Sequence, residues 1–301
     1  MTDMNPVGSK AGGETGGLLM GLVAVAIFAM SLPMTRLAVG DVSAPQLSPV
    51  FVTCARAALA GLLSILYLLA IRSPLPPRRV RMSLFASGMG TVVGFPLFLA
   101  LALRYVDAMQ AAVFTGVLPL ATAVFGAILF RQRPSAAFWL CAVAGCALVL
   151  AFALYRGNGQ VGYGDLMLLA AVIVGAIGYV TGAKASAAMS AGEVISWILA
   201  VTFLPMLAVS LAYWPADAVS WKAWGGVGYL GVFPMWIGFF IWYRAMTVGG
   251  AVRVSQVQLL QPFLALLFAV PIVGESLDGL TIAFSLAIIA IVYLGKRARV
   301  N

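Results

Sequence analysis

The sequence has no histidine, three cysteines and nine acidic residues among 301. Without histidine there is no imidazole base, no Ser-His-Asp triad and no histidine-bearing metal cluster. Cys54, Cys141 and Cys146 show no C-x-x-C spacing, so they read as small packing residues rather than a redox or zinc site. Asp and Glu enter the hydrophobic runs only at their ends, which removes aspartyl chemistry and any mid-membrane proton carrier. Charge of either sign is scarce, at 9% of residues against about a quarter in an ordinary soluble domain. So little charge cannot cover a water-facing surface. No enzyme activity, cofactor or metal site is expected.

What fills the chain is apolar: 63% of residues, gathered into long blocks. The blocks are 15–35, 42–71 (interrupted only by Arg56), 82–103, 108–130, 134–155, 166–183, 194–216, 223–243, 254–274 and 279–295. About 20 apolar residues in a helix cross the hydrocarbon core, so the expected fold is an all-α membrane protein of ten transmembrane helices. Alternation of polar and apolar residues, the mark of a barrel strand, is absent from the blocks. The first block is too long for a signal peptide and lacks a strongly basic leader, so it counts as a span.

The net charge of +9 would suggest nucleic acid in a soluble protein, but here its placement carries the meaning. Taking the connections alternately, one side receives Lys10, Arg72, Arg78, Arg79, Arg81, Arg131, Arg133, Lys184, Arg244, Arg253, Lys296, Arg297 and Arg299. The other receives Arg36, Arg104, Arg156 and Lys222. The positive-inside rule then places both termini in the cytoplasm of a multi-pass inner (plasma) membrane protein. Its expected partners are the lipid bilayer and a small-molecule substrate, not nucleic acid, and it is expected to be a monomer.

The chain also repeats itself. At an offset of 143, Ala102 to Ala108 and Val117-Leu118-Pro119-Leu120 match Ala245 to Ala251 and Leu260-Gln261-Pro262-Phe263; Gly94-Phe95 corresponds to Gly238-Phe239 one residue out of register. Gly17, Leu19 and Arg36 resemble Gly164, Leu166 and Lys184 at an offset near 147. Five spans per unit is odd, so the second unit is expected upside down relative to the first, an arrangement typical of secondary transporters with a substrate site between the repeats. Duplication by gene fusion in any membrane protein is the alternative. The expected organisation is a cytoplasmic tail over 1–14, repeats over 15–155 and 156–296, and a cytoplasmic tail over 297–301.

The segments Tyr229-Leu-Gly-Val-Phe-Pro, Ile241-Trp-Tyr-Arg-Ala-Met246, Gln256-Val-Gln-Leu-Leu-Gln-Pro262 and Gly274-Glu-Ser-Leu277 resemble the second repeat of EamA-type drug/metabolite transporters. Ala108 to Val149, with Pro119 and Gly145, resembles the end of the first. That repeat departs from the pattern, with Arg131-Gln132 where Gly-Glu is usual. Within the superfamily the chain is most similar to amino-acid exporters of the YddG type. The resemblance implies export of small metabolites, amino acids foremost, by alternating access through a central cavity. A drug or cation exporter of the same architecture and a non-transporting membrane protein are the competing readings.

A Gly157-x-Gly159-x-x-Gly162 string lies in a short link without the strand and helix of a dinucleotide site, and reads as a turn. Arg56, the one charge inside a run, is a candidate contact for a substrate carboxylate, or else half of an ion pair near the outer interface. Gln258 and Gln261 stand three apart on one helical face as candidate donors and acceptors for substrate, with Pro262 expected to free the Gln258 carbonyl. Trp236, Phe239 and Tyr243 recur at helical spacing as a candidate apolar wall, or a lipid-facing stripe. Phe95 and Tyr179 flank the Gly90-x-x-x-Gly94 and Gly178-x-x-x-Gly182 motifs, whose first reading is close helix packing; the two aromatics are cavity candidates or core.

Overall fold

The computed structural model describes residues 7–132, 134–249, 254 and 257–297, apart from the side chains of 7–14 and 296. Arg133, Arg253, Gln256 and Arg299, used in the sequence argument, lie outside the described residues. Among the described residues eight helices are long and apolar enough to cross a membrane. We number them α1 (Val7–Val39, apolar from Thr15), α2 (Pro49–Ala70), α3 (Arg78–Ala102), α4 (Ala108–Leu129), α5 (Ala136–Arg156), α6 (Tyr163–Ser186), α7 (Ala191–Ala212) and α8 (Trp221–Gly249). Two shorter apolar helices, α9 (Gln258–Val273) and α10 (Gly279–Arg297), stand where the last two runs were expected.

The helix starts follow local chemistry. Ser48, Ser190 and Ser220 each accept a backbone N–H of the first turn, from Phe51, Glu193 and Ala223, and Pro49 sits where its missing N–H costs nothing. Gly40 and Gly274, both at positive φ, follow the ends of α1 and α9.

Four helices are irregular, in two corresponding pairs. In α3 the segment Gly88–Gly94 is a π-helix, and in α8 so is Phe233–Ile237; adding the 143-residue offset to 88–94 gives 231–237. Each contains or adjoins a proline, Pro96 and Pro234, whose missing N–H releases a carbonyl and lets the turn widen. In α4 the helix breaks at Gly116–Val117 and resumes at Leu118; in α9 a 3-10 turn over Gln258–Leu260 precedes an α-helix from Gln261. Pro119 and Pro262 occupy the second position of the resumed helices. The expected release of the Gln258 carbonyl does not occur, because the 3-10 turn hands it to the N–H of Gln261.

Packing follows the same correspondence. Helix α1 lies against α8 and α9, α6 against α3 and α4, α2 against α7, and α5 against α10. Without a hydrophobic drive between helices in lipid, close approach depends on small residues, and the glycines sit where the helices meet. Gly238 lies against Ile27 and Phe28, and Gly94 against Val174, equivalent to Ile27 at the 147 offset. Gly17 faces the backbone of Gly249 and Ala245; its counterpart Gly164 faces Tyr105, Val106 and Ala102. Gly90 and Gly178 meet backbone to backbone, so the two expected packing motifs pack on one another.

The connections after α1, α3, α7 and α9, with Arg156 at the end of α5, gather around shared clefts at one end of the bundle. Asp41, Asp107, Glu275 and Asp278 lie there, and we call it the acidic end. At the other, basic end, Ser73 bonds Glu193 (2.9 Å) and accepts from the Trp197 indole (3.2 Å), tying the α2–α3 connection to α7.

A Cβ added at Gly90 would lie 2.5 Å from the Gly178 Cα, whereas one at Gly228 meets nothing within 4 Å. Gly90→Leu is therefore expected to destabilise the detergent-solubilised protein by about 1–3 kcal/mol, as overpacking does, with Gly228→Ala close to neutral. Thermal melting of the three proteins checks this.

Candidate functional site

Arg56 stands seven residues, about two turns, after Pro49, about 10 Å into α2 at 1.5 Å per residue. Its backbone rests on α8, where a Cβ at Gly231 would lie 3.1 Å from the Arg56 carbonyl. The residue is only 7% exposed, so it does not snorkel to an interface. No carboxylate lies within salt-bridge distance of it among the described residues, and its Nε is buried without a hydrogen-bond partner. The ion-pair reading of Arg56 therefore finds no partner there. Guanidinium stays charged in proteins, and an uncompensated buried charge costs several kcal/mol.

Tyr179 of α6 lies within electrostatic range of Arg56 and of Tyr243 of α8. Tyr179 is 39% exposed, and where that exposure points decides its meaning. Leu166, Leu169, Ile173 and Ile177 form the outward, lipid-side stripe of α6. Tyr179 stands two residues beyond Ile177, about 200° round the helix, on the face that buries Leu168 and Gly175. Its exposed surface therefore lies on the inward side of α6, away from the lipid-side stripe. Tyr243 stacks on Phe239 (centroids 6.0 Å apart), which meets Phe28 of α1 at 5.3 Å. Phe239 and Tyr243 pack against the apolar cluster that holds Ala57 and Ala60, next to Arg56 on α2, and Tyr179 on α6 lies within electrostatic range of both Arg56 and Tyr243.

The other sequence candidates divide. Trp236 turns to Phe240 (5.1 Å), which contacts Tyr67 (4.7 Å); its indole Nε1 is buried without a partner. Phe95 packs over Gly175, in the contact equivalent to Phe239 on Phe28, and so serves the α3–α6 crossing. Gln258 and Gln261 are half-buried at the 3-10 start of α9, a turn that packs on α1.

The polar groups that sequence reasoning passed over lie at the acidic end. Glu275, between α9 and α10, accepts from the backbone N–H groups of Ala108 (2.6 Å) and Met109 (2.8 Å) and so caps α4. Burial pushes its carboxyl above the usual carboxylate range, assisted by Asp107 and opposed by the two N–H bonds and Arg36. Gln110 donates to Asp165 (2.6 Å), a carboxylate 4% exposed that also accepts from Gly162 N–H at the start of α6. Arg156 joins Asp107 (2.9 Å) to Asp278 (3.4 Å), and Arg36 donates to the Leu103 carbonyl. Two open clefts of about 370 and 530 Å³ flank Glu275, and neither is lined by the Arg56 group.

A bundle of apolar helices with corresponding irregular turns in its two halves, and polar groups turned inward between them, defines a polytopic transport protein. The chain belongs to the EamA-like transporter family, whose model matches it twice, over 15–154 and 162–295. It is 42% identical to the Uncharacterized transporter YdeK of Bacillus subtilis (strain 168) over 288 residues, 94% of this chain and 98% of the relative. It is 26% identical over 282 residues to the Uncharacterized transporter sll0355 of Synechocystis sp., 84% of each chain. One solved structure, described only as the crystal structure of a protein, superimposes with a TM-score of 0.61 over 93% of this chain and 98% of its own; at 21% identity that likeness concerns the fold.

Removing the Glu275 cap leaves two helix-start donors without their acceptor. Glu275→Ala is expected to cost about 1–3 kcal/mol, the penalty for an unsatisfied buried group, and Glu275→Gln, which keeps one acceptor, to fall between. The order of melting temperatures, wild type above Gln above Ala, is the check.

Proposed function

We propose that the protein exports small metabolites, amino acids foremost, by alternating access between two inverted five-helix halves. In this reading α9 and α10 complete ten spans, the acidic end faces outward, and both termini lie in the cytoplasm. The observation that carries it is the buried guanidinium of Arg56, unpaired among the described residues and within electrostatic range of a tyrosine on the inward side of α6. A ligand carboxylate is the partner such a group lacks. Phe239, Tyr243 and Trp236 offer apolar surface for the rest of the solute, and the amides of Gln258 and Gln261 offer donors and acceptors as it passes α9. The rival reading, a cationic-drug exporter, is disfavoured by the same residue, since a buried guanidinium repels a cation and, among the described residues, no carboxylate stands at mid-depth to offset it.

Purified protein in liposomes is expected to move labelled amino acids down their own gradient without an imposed proton gradient. Gln261→Leu is expected to lower the rate at least tenfold with melting temperature unchanged. Strict dependence on a proton gradient would overturn the facilitated reading, and a folded Leu variant with normal rates would remove Gln261 from the pathway.

Reporter fusions test the orientation independently. Fusions after residues 78 and 298 are expected to report cytoplasm and one after 158 the exterior; a cytoplasmic signal at 158 contradicts the inverted arrangement.

A further inference from the structure

The proposed site is unbalanced in charge and in hydrogen-bonding sense. Arg56 brings five N–H donors and no acceptor, and the Nε is buried with nothing to bond. The hydroxyls of Tyr179 and Tyr243 make no hydrogen bond among the described residues, and neither does the Trp236 indole N–H. Every one of these groups can give a hydrogen to an anion. Tyrosine hydroxyls apart, none can receive one from a cation.

Among the described residues the carboxylates that could answer a positive group are elsewhere, Asp217 being exposed in the connection between α7 and α8. Asp41, Asp107, Glu275 and Asp278 line the clefts at the acidic end. Asp165 is committed to Gln110 and Gly162 in the first turn of α6. Glu193 is committed to Ser190 and Ser73 in the first turn of α7, at the basic end. A zwitterion seated with its carboxylate on Arg56 therefore holds its ammonium beside a guanidinium, with only neutral acceptors in reach among the described residues.

Resting on the exporter reading above but departing from its choice of amino acids as the foremost solutes, we infer that the Arg56–Tyr179–Tyr243 site selects solutes with a net negative charge: monocarboxylates with an apolar or aromatic body, in preference to the amino acids that share that body. The amino group is what the site does not recognise. Acids whose amino group is absent, replaced by hydroxyl or oxo, or acylated fit its donors without adding a positive charge.

A series with one benzyl body and three charges separates the possibilities. The probes are 3-phenyllactate, L-phenylalanine and phenethylamine, each tested against the purified full-length protein by ligand-dependent thermal shift and by exchange in liposomes. Phenyllactate is expected to bind at least tenfold tighter than phenylalanine, with no binding of phenethylamine. Arg56→Gln is expected to weaken phenyllactate at least tenfold and abolish the preference. The same variant without ligand should melt no lower than wild type, because it loses a buried charge that has no partner; a guanidinium held in a structural ion pair would give the opposite. Tyr179→Phe, which removes one donor and keeps the ring, should weaken phenyllactate several-fold and change phenylalanine less.

Equal or tighter binding of phenylalanine, binding of phenethylamine, or binding of no member of the series overturns the inference. Movement of amino acids without preference for the acid overturns it while leaving the exporter reading intact. Failure of the reconstituted protein to move any amino acid or acid overturns both.

Discussion

The architecture depends on backbone-to-backbone approach between helices in a medium that supplies no hydrophobic drive for it. Gly90 on Gly178, Gly17 on Gly249, and Gly94 and Gly238 against the branched side chains of α6 and α1 are the places where that approach happens. They hold α3 to α6 and α8 to α1, so each tight pair takes one helix from either half of the sequence. The aromatic contacts obey the same rule, with Phe95 on Gly175 in one pair and Phe239 on Phe28 in the other. The proposed site draws on both pairs: Phe239 and Tyr243 are carried by α8 and Tyr179 by α6.

Much of this was legible in the chain because membrane helices announce themselves by what they exclude. The charge-free runs and the helices agree closely through the first eight spans, and the second run, too long for one span, resolves into a lead-in followed by α2 from Pro49. The offset of 143, found from proline and alanine positions alone, turns up again as matched π turns in α3 and α8 and matched breaks in α4 and α9. Proline content signalled irregularity but not its form. A missing N–H yields a kink, a π turn or a 3-10 turn according to what surrounds it, which is why the fate of the Gln258 carbonyl was misjudged.

The candidate site was legible in part for an equally physical reason. Arg56 stood out because a charge inside an apolar run is conspicuous without knowledge of its neighbours, and Tyr179 because it flanks a glycine motif. Glu275, Gln110 and Asp165 did not, since the two partners of Glu275 are 167 and 166 positions away, Gln110 and Asp165 are 55 apart, and each looks like an ordinary residue at a span end. The first repeat has Gln132 where the second has Glu275, so symmetry offered no second copy to compare. The structure gives the asymmetry a meaning: the charged cap belongs to α4 at the acidic end, beside the ion pairs of Arg156.

That each tight helix pair is shared between the halves has a consequence for the protein's birth. From the end of α1 at Val39 to the start of its partner α8 at Trp221 the ribosome must add 182 residues, roughly 10–40 s of synthesis at about 5–20 residues per second. For that interval the glycine face of α1 lies in lipid with its main partner unmade. Insertion and assembly are therefore separate events in time, and whatever keeps α1 from pairing wrongly must act before the second half exists.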